Sequence, residues 1–493
     1  MSALFTAIRA SAVLSAILLV AGCFSSATES DDDRIRVAML LPPRSAMSPF
    51  SDDAFKLSRW STAETLINLD ENGDAQPGLA ETWDRVDDHT WRFTLRDGVT
   101  FHNGEKLSPA SVVTALTAAT QAAPKPRILD GVDLTVTADG ADAVRVTTAD
   151  VDPLVPQRLS SPQLAILAPE AYAGPGPVNP IGTGTGAFVL TAVNGTSSAT
   201  LDRYDNYWGE TAKIAGIDVD FVPDGTARAA ALRNGTADVV EAVPVSQVAQ
   251  VDDALIHEVP MPRTNTLYLN TRTGAFADPA IRAAARLAVD RQRLVDQVYE
   301  GRADVAEGLL GPAIPWASQR PVAHYAAPGN PAGRTITLGT FTDRAELPEV
   351  AVLLQEALEA RGFTVNQVVR EYQFIESDAL AGKFDAFILS RATVLDSGDP
   401  VAYMYSDFAC EGSFNISQFC NPQVDDALRV AAETPAGPQR RTAILRAEQL
   451  ILENDAAVPM LHERVIQGES TRVGGVARDP RERLLITTDT TLE

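Results

Sequence analysis

The sequence has few positive charges for its length. Its 493 residues carry 41 Lys and Arg against 65 Asp and Glu, a formal net charge of −24. Binding to nucleic-acid phosphates needs clustered Lys and Arg, and no dense basic block occurs in the chain. We therefore expect no nucleic-acid partner. The acidic excess favours a soluble, exported protein, because like charges keep such chains apart.

Long apolar runs are also scarce. The one pronounced run, Ala10–Ala21, is too short to span a bilayer. It follows Arg9 and ends in small residues, which is the layout of a secretory signal peptide. We expect residues 1–22 to be a leader and the remainder to fold outside the cytoplasm.

The residue patterns that catalysis or metal binding would need are missing. No G-x-S-x-G or H-E-x-x-H motif is present. No histidine lies at a metal-ligand spacing from another histidine or a cysteine; the five are His89, His102, His257, His324 and His462. We expect a protein that is not an enzyme and that has no cofactor and no metal site.

Only three cysteines occur. Val20–Cys23 resembles the bacterial lipobox, in which the cysteine begins the mature protein and carries lipid. Each buried CH₂ contributes about 0.8 kcal/mol, so two or three acyl chains would anchor the chain stably. Residues 23–33 would then be a polar tether at the cell membrane. Cys410 and Cys420 form an even pair in an exported chain, which favours a disulfide over two free thiols.

The length predicts two or three domains. The spacing of apolar residues predicts strands at 34–42 and 89–95, a helix over 108–120 and a hairpin over 133–148. It also predicts helical segments on either side of a turn within 62–83, and one long helix over 278–301. After residue 334 the pattern becomes strand, helix, strand, which indicates a parallel βαβ unit over 335–390.

One acidic loop stands out as a candidate site. The segment SRATVLDSGDP, residues 390–400, follows the apolar strand Phe384–Leu389. Loops at the carboxyl ends of parallel strands are where open α/β sheets bind ligands, so Asp396 and Asp399 would face a cleft. A solvated turn is an equal alternative on these residues alone, because Asp-Ser-Gly-Asp-Pro is typical of turns.

Four stretches carry a resemblance to a known family. Residues 77–113, PGLAETWDRVDDHTWRFTLRDGVTFHNGEKLSPASVV, closely resemble a hallmark of the family 5 solute-binding proteins, the peptide and nickel receptors of bacterial ABC importers. Residues 180–190, 202–240 and 266–301 are similar to the family in the same order. The resemblance covers residues 34–490, approximately.

The resemblance implies an α/β fold, a two-lobe clamshell of the type II periplasmic-binding-protein class with an extra subdomain in the N-terminal half. It places lobe I at 34–64, 178–265 and 463–493, the subdomain at 65–177, and lobe II at 266–462. The hinge would lie near Met261–Asn270 and Val458–Val465. Solute would favour closure by contacting both lobes, and the closed monomer would dock on ABC permease subunits.

The resemblance also suggests the solute. Asp396 matches the aspartate that pairs with the peptide α-ammonium group in dipeptide and oligopeptide receptors, and such a desolvated pair is a strong anchor. Further ligand-binding residues are expected at the following positions: Asp399, Arg391, Tyr403, Tyr268 and Trp60. Residues 408–422 are similar to the cysteine-flanked segment of dipeptide receptors. We therefore expect a lipid-anchored extracytoplasmic receptor for peptides.

A nickel or other metal chelate is the alternative solute. Several of the same stretches resemble nickel receptors equally well. In those receptors an arginine in a Pro-Arg-Pro-like segment holds the chelate, and Pro162 stands at that position here. The nearest arginine is Arg158, four residues earlier, and this departure weakens the nickel interpretation.

Overall fold

The computed structural model describes residues 33–174, 176–394 and 397–493. The predicted leader, the predicted anchor Cys23 and the predicted ligand residue Asp396 lie outside the described residues. Within the described ranges, no helix combines the length and apolar character needed to cross a bilayer.

The strands are β1 Arg34–Met39, β2 Ile67–Leu69, β3 Ala75–Pro77, β4 Ala80–Arg85, β5 Thr90–Leu95, β6 Leu134–Asp139, β7 Ala143–Thr148, β8 Phe188–Asn194, β9 Ser198–Arg203, β10 Gly216–Phe221, β11 Val239–Val240, β12 Ile256–Leu269, β13 Ala303–Val305, β14 Thr335–Phe341, β15 Thr364–Arg370, β16 Ala386–Ala392, β17 Ala457–Glu469, β18 Val473–Gly474 and β19 Thr491–Leu492.

The helices are α1 Ala54–Arg59, α2 Pro109–Gln121, α3 Val155–Arg158, α4 Gly225–Arg233, α5 Val245–Val248, α6 Pro279–Ala288, α7 Arg291–Val298, α8 Glu346–Ala360, α9 Tyr372–Leu380, α10 Val401–Phe408, α11 Pro422–Glu433 and α12 Pro438–Glu453. Short 3₁₀ segments lie at Arg127–Leu129, Pro162–Leu164, Pro169–Tyr172, Asp253–Leu255, Gly274–Ala277 and Pro315–Gln319.

One mixed sheet runs through most of the molecule. Its strand order is β15-β14-β16-β12-β17-β11-β1-β10-β9-β8, with β13 beside β17. The two longest strands, β12 and β17, pair antiparallel in the middle of this sheet. Their register shifts between Pro260 and Thr264 and again between Asn265 and Thr266. We call this pairing of β12 with β17 the crossing.

The predicted βαβ unit is present. Strand β14 pairs in parallel with both β15 and β16, and α8 connects β14 to β15. The buried side chains of α8 are spaced three or four residues apart and so share one face; they are Leu347, Val350, Ala351, Leu354 and Leu358. Burial of this apolar face holds the helix on the sheet.

A separate sheet, β4-β5-β7-β6, lies in the N-terminal half. The alternation predicted for β5 is present, because Phe93 and Leu95 are buried. The side chain of Ser108 accepts a hydrogen bond from the Ser111 backbone N–H and caps the predicted helix α2. The predicted hairpin is formed by β6 and β7.

Two sequence predictions are wrong in detail. Residues 62–83 form no helix; β2 and β3 pair as a hairpin. Its turn is made by the Asp70 carboxylate, which accepts from the backbone N–H groups of Asn72 and Asp74. The single helix expected over 278–301 is two helices, because Asp290 caps α7 by accepting from the Arg293 backbone N–H.

Buried apolar side chains form three large clusters. One draws on residues 267–461, one joins 35–63 to 165–239 and 476–486, and one lies within 66–168. The domain bounds given above stay a prediction. The names lobe I, subdomain and lobe II are kept for those predicted segments.

Candidate functional site

A cavity of about 1410 Å³ lies between the subdomain and lobe II. The subdomain lines it with residues 127, 128, 130–133, 148, 150–154 and 158. The opposite side is lined by Arg263 and by residues around the ends of β14 and β16 and along α10. Ligand pockets are commonly about 300–1,000 Å³, so this space is large enough for a solute of several residues.

The topology of the sheet explains why polar side chains gather there. Strands β14 and β16 are parallel neighbours, so their carboxyl ends meet at one edge. Arg344 follows β14, Arg391 is the penultimate residue of β16, and Ser397 follows that strand; all three line the cavity. The two described residues nearest the predicted ligand aspartate, Val394 and Ser397, are both in this lining.

Arg391 is held by a buried ion pair. Its Nε and Nη2 donate to the two carboxylate oxygens of Asp407 at 3.0 and 2.8 Å, and Asp407 is 0% exposed. The Arg391 guanidinium lies 4.2 Å from the centre of the Phe414 ring. The Tyr268 hydroxyl also donates to Asp407, at 3.3 Å. Burial raises the pKa of Asp407 to about 6, although Arg391 and Tyr268 oppose the rise.

Asp399 is held in a second ion pair. Its carboxylate accepts from Arg440 Nε at 2.6 Å and Nη2 at 3.1 Å. One of its oxygens also accepts from the Val401 backbone N–H at the start of α10. Asp399 therefore lines the cavity with its charge already compensated, and its visible role is to fix α10 against α12.

The predicted disulfide is present near the same wall. The Sγ atoms of Cys410 and Cys420 are 2.08 Å apart. The Asn415 side-chain amide inside this loop donates to the carbonyl oxygens of Ala409 and Phe419. The loop that carries Phe414 is therefore tied at both ends. We call the group of side chains formed by Arg391, Asp399, Tyr403, Asp407, Phe414 and Arg440 the lobe II wall.

A hairpin turn bridges the subdomain to lobe II beside the cavity. The Trp316 indole N–H donates to the Asn72 carbonyl oxygen at 3.1 Å, and Arg441 forms an ion pair with Asp74. Gly73 has a φ of +83°, and a Cβ there would lie 2.9 Å from the Gly398 carbonyl oxygen. A side chain at position 73 would separate the hairpin from the loop that follows β16.

Two of the expected ligand residues lie in the core. Trp60 is 0% exposed and its indole N–H lies 3.2 Å from Met39 Sδ. Tyr268 is 1% exposed and stacks against Phe408. Neither side chain lines the cavity, because burial of a large aromatic ring is itself strongly favourable. Tyr403 does line it, with its ring edge-on to Phe408.

Sequence reasoning missed Arg263, Asp407 and Arg440. Asp407 and Arg440 partner two of the predicted residues from 16 and 41 positions away, and nothing in the local sequence shows these pairings. Arg263 carried a weak signal, because it is a lone charge in the segment PRTNTLYLN that enters the predicted hinge.

Within the described residues, no group of three or more His, Cys, Asp or Glu side chains is placed to hold a metal ion. Residues 74–415 match the family model described as bacterial extracellular solute-binding proteins, family 5. The chain belongs to that family. It is thus a solute-binding receptor of the ABC-importer class and not an enzyme.

Relatives with different named solutes are about equally similar. The nickel-binding protein NikA of Staphylococcus aureus is 24% identical over 439 residues, covering 85% of this chain and 86% of that protein. A dipeptide-binding protein of Pseudomonas aeruginosa is 25% identical over 469 residues, covering 85% and 87%. Overall similarity therefore identifies the family without choosing the solute.

Solved structures show the fold. The crystal structure of a nickel ABC transporter from Bacillus halodurans is 24% identical and superimposes with a TM-score of 0.80, covering 93% of this chain and 100% of that one. The predicted fold class, a type II periplasmic-binding-protein clamshell of mixed α/β structure, is confirmed.

Proposed function

We propose that this receptor binds small peptides in the cavity between the subdomain and lobe II and delivers them to an ABC permease. The observation that carries the proposal is the cavity of about 1410 Å³, whose lining combines aromatic rings with charges of both signs. A peptide presents the matching features, which are a backbone with two charged ends and side chains of variable polarity.

The lining supports this choice in two ways. The rings of Phe341, Tyr372 and Phe414 offer apolar faces on which peptide side chains can pack. Asp396 keeps its predicted role as partner of the peptide α-ammonium group, and its described neighbours Val394 and Ser397 line the cavity. We also expect the receptor to act as a monomer that closes about the predicted hinge.

A nickel or other metal chelate is the second candidate. The nickel-binding relative from Staphylococcus aureus supports it to the same extent as the dipeptide-binding relative supports peptides, since each matches 85% of this chain. In this alternative the chelator supplies most of the metal's ligands and the arginines of the cavity hold the chelator.

Native mass spectrometry separates the two candidates. The mature protein is incubated with a pool of di- to pentapeptides and, separately, with Ni²⁺ and L-histidine. We expect a retained peptide, and Asp396→Ala should weaken its binding. Asp150→Ala is the matched control. It also removes one carboxylate, but from the subdomain side of the cavity. Retention of nickel complex alone, unaffected by Asp396→Ala, would reject the peptide proposal.

The lipid anchor is a separate proposal. Cys23 lies outside the described residues, and its role rests on the lipobox-like segment Val20–Cys23. Cys23→Ser should release the protein from the cell membrane and leave solute binding unchanged, because the tether is distant in sequence from every residue of the cavity lining. Fractionation of cells expressing either form tests this, and membrane retention of the variant would refute it.

A further inference from the structure

Arg263 differs from the other arginines of the cavity in how its charge is compensated. Each of the others has a carboxylate partner within 3.2 Å; the pairs are Arg127–Asp52, Arg158–Asp152, Arg344–Glu463, Arg391–Asp407 and Arg440–Asp399. Among the described residues, no carboxylate lies within 4.0 Å of the Arg263 guanidinium.

The remaining contacts of Arg263 are weak. Its Nη1 donates to the Ser390 carbonyl oxygen at 3.3 Å, whereas its Nε is buried and has no hydrogen-bond partner in the described structure. The Glu463 carboxylate, on the neighbouring strand β17, is engaged by Arg344 and by the Ser390 hydroxyl. Buried donors without partners are costly, so an acceptor that reached the Arg263 Nε would be stabilising.

The backbone at Arg263 is held by β16 and by the residue that follows it. Arg263 pairs in register with Ala392 of β16. The next residue, Thr393, donates from its backbone N–H and its hydroxyl to the Pro262 carbonyl oxygen, at 2.8 and 3.0 Å. The backbone under Arg263 is therefore tied to the start of the loop that contains the predicted ligand aspartate.

The local electrostatics favour an anion. Burial lowers the pKa of Arg263, the positive charge of Arg344 lowers it further, and Glu463 offsets this only in part. Arginine nevertheless stays protonated in proteins. Its planar fork matches a carboxylate through two parallel hydrogen bonds, and such a ligand would satisfy the buried Nε and compensate the charge together.

We propose that Arg263 is the residue that holds a carboxylate of the bound solute. The inference rests on the proposed function only in that the solute occupies this cavity. Under the peptide proposal the group is the C-terminal carboxylate; under the alternative it is a carboxylate of the metal chelate. Arg263 would then set a requirement for a free acid, and it lies on a strand of the predicted hinge.

The test measures affinity of the full mature protein by calorimetry. The probes are a tripeptide pool, the same pool with amidated C-termini, and the nickel–histidine complex. Loss of the hydrogen bonds between one charged side chain and its ligand lowers the affinity by about 10- to 100-fold. Arg263→Gln should weaken free-acid binding by that factor and leave amide binding unchanged, and Arg263→Lys should restore part of the loss.

Arg344→Gln is the matched control. It removes the same charge from the same cavity, but the Arg344 guanidinium already pairs with Glu463. We expect it to change free-acid affinity only a few-fold. Equal losses in the two variants, or equal losses of acid and amide binding in Arg263→Gln, would show a general electrostatic or structural effect and overturn the proposal.

The outcomes also separate this inference from the peptide proposal. Wild-type protein that binds both peptide pools equally, with no effect of Arg263→Gln, overturns the inference and keeps the function. Wild-type protein that binds only the nickel complex rejects peptides, and weaker nickel-complex binding by Arg263→Gln then supports Arg263 as the anchor. Protein that binds none of the carboxylate probes overturns both.

Discussion

The lobe II wall and the crossing, to which Arg263 belongs as a residue of β12, differ in how their buried acidic and neutral polar side chains are partnered. On the wall, Asp407 and Asp399 are each held by an arginine, and a disulfide closes the adjacent loop. At the crossing, the buried oxygens Asn265 Oδ1 and Thr266 Oγ1 have no hydrogen-bond partner among the described residues, and the register shifts twice.

The contrast separates two tasks within one site. A wall whose charged side chains are already paired keeps its shape before solute binds. Binding therefore costs little conformational entropy there. A crossing with unpaired groups and an irregular register can change its hydrogen bonds at small cost. We therefore expect lobe II to hold the shape of the site, and β12 and β17 to be the strands whose hydrogen bonds can change.

Breaking the wall should have the largest effect on stability. Asp407→Asn leaves the guanidinium of Arg391 without its countercharge, and loss of one partner of a buried pair costs about 3–5 kcal/mol. Because burial raises the pKa of Asp407 to about 6, the folded protein binds this proton more tightly than the unfolded chain, so the wild type loses stability as the pH rises from 5 to 8 whereas Asp407→Asn does not. We therefore expect a larger penalty at pH 5 than at pH 8, measured by urea unfolding. An equal penalty at both pH values would contradict the assignment.

Opening the disulfide loosens the wall without changing its charges. The double variant Cys410→Ser with Cys420→Ser should lose roughly 2–3 kcal/mol, because the unfolded chain regains the entropy of a ten-residue loop. Thermal unfolding measures the loss. Reduction of the wild-type protein should reproduce the same shift, whereas reduction of the variant should change nothing.

Acid should weaken the crossing. His462 of β17 lies 2.9 Å, by its Nδ1, from the Thr264 hydroxyl of β12, and burial lowers its pKa to about 4. The folded state thus binds fewer protons than the unfolded state between pH 6.5 and 4, so stability falls as the pH falls through this window. From pH 8 to 5 we expect the wild type to lose about 2 kcal/mol more than His462→Gln.

Denaturant titrations of both proteins at each pH give this difference directly. The buried carboxyls of Asp407 and Asp455 titrate with the opposite sign and are common to both proteins, since burial raises each pKa to about 6. Parallel pH profiles would show that His462 is not the group responsible.

The smallest expected effect is a gain in stability at the crossing. Thr266 is 0% exposed and its hydroxyl has no partner among the described residues. Thr266→Val keeps the shape and removes a buried unsatisfied polar group, so we expect stabilisation of up to about 1 kcal/mol. Val458→Thr, which adds a hydroxyl at a buried position of β17, should have the opposite sign in calorimetry.

Helices and strands whose apolar residues recur at one regular spacing were predictable from the sequence. The βαβ unit followed from the spacing of buried residues in α8 and from the apolar strands on either side. The hairpin of β2 and β3 was not, because three-residue strands are too short to show a period. Its turn depends on one aspartate, Asp70, bonding to backbone groups nearby.

The candidate site was predictable only in outline. The rule for parallel strands predicted that Asp396 and Asp399 face a cleft; Asp399 lines the cavity, and Asp396 lies outside the described residues. Whether each charge is free or paired depends on residues distant in sequence, such as Arg440 for Asp399. Trp60 and Tyr268 were predicted to contact the ligand, but both are buried in the core. The sequence alone does not reveal whether an aromatic ring faces a core or a cleft.

The uninterrupted sheet has a mechanical consequence. Because β12 and β17 belong to the same sheet as strands of both predicted lobes, rotation of one lobe against the other must be absorbed as twist and bend along these two strands. The crossing then behaves as a torsion spring whose stiffness is set by its own hydrogen bonds. If the receptor closes about the predicted hinge, we expect a stiffer crossing to slow both capture and release of solute, so that these two strands set the pace of the receptor as well as its shape.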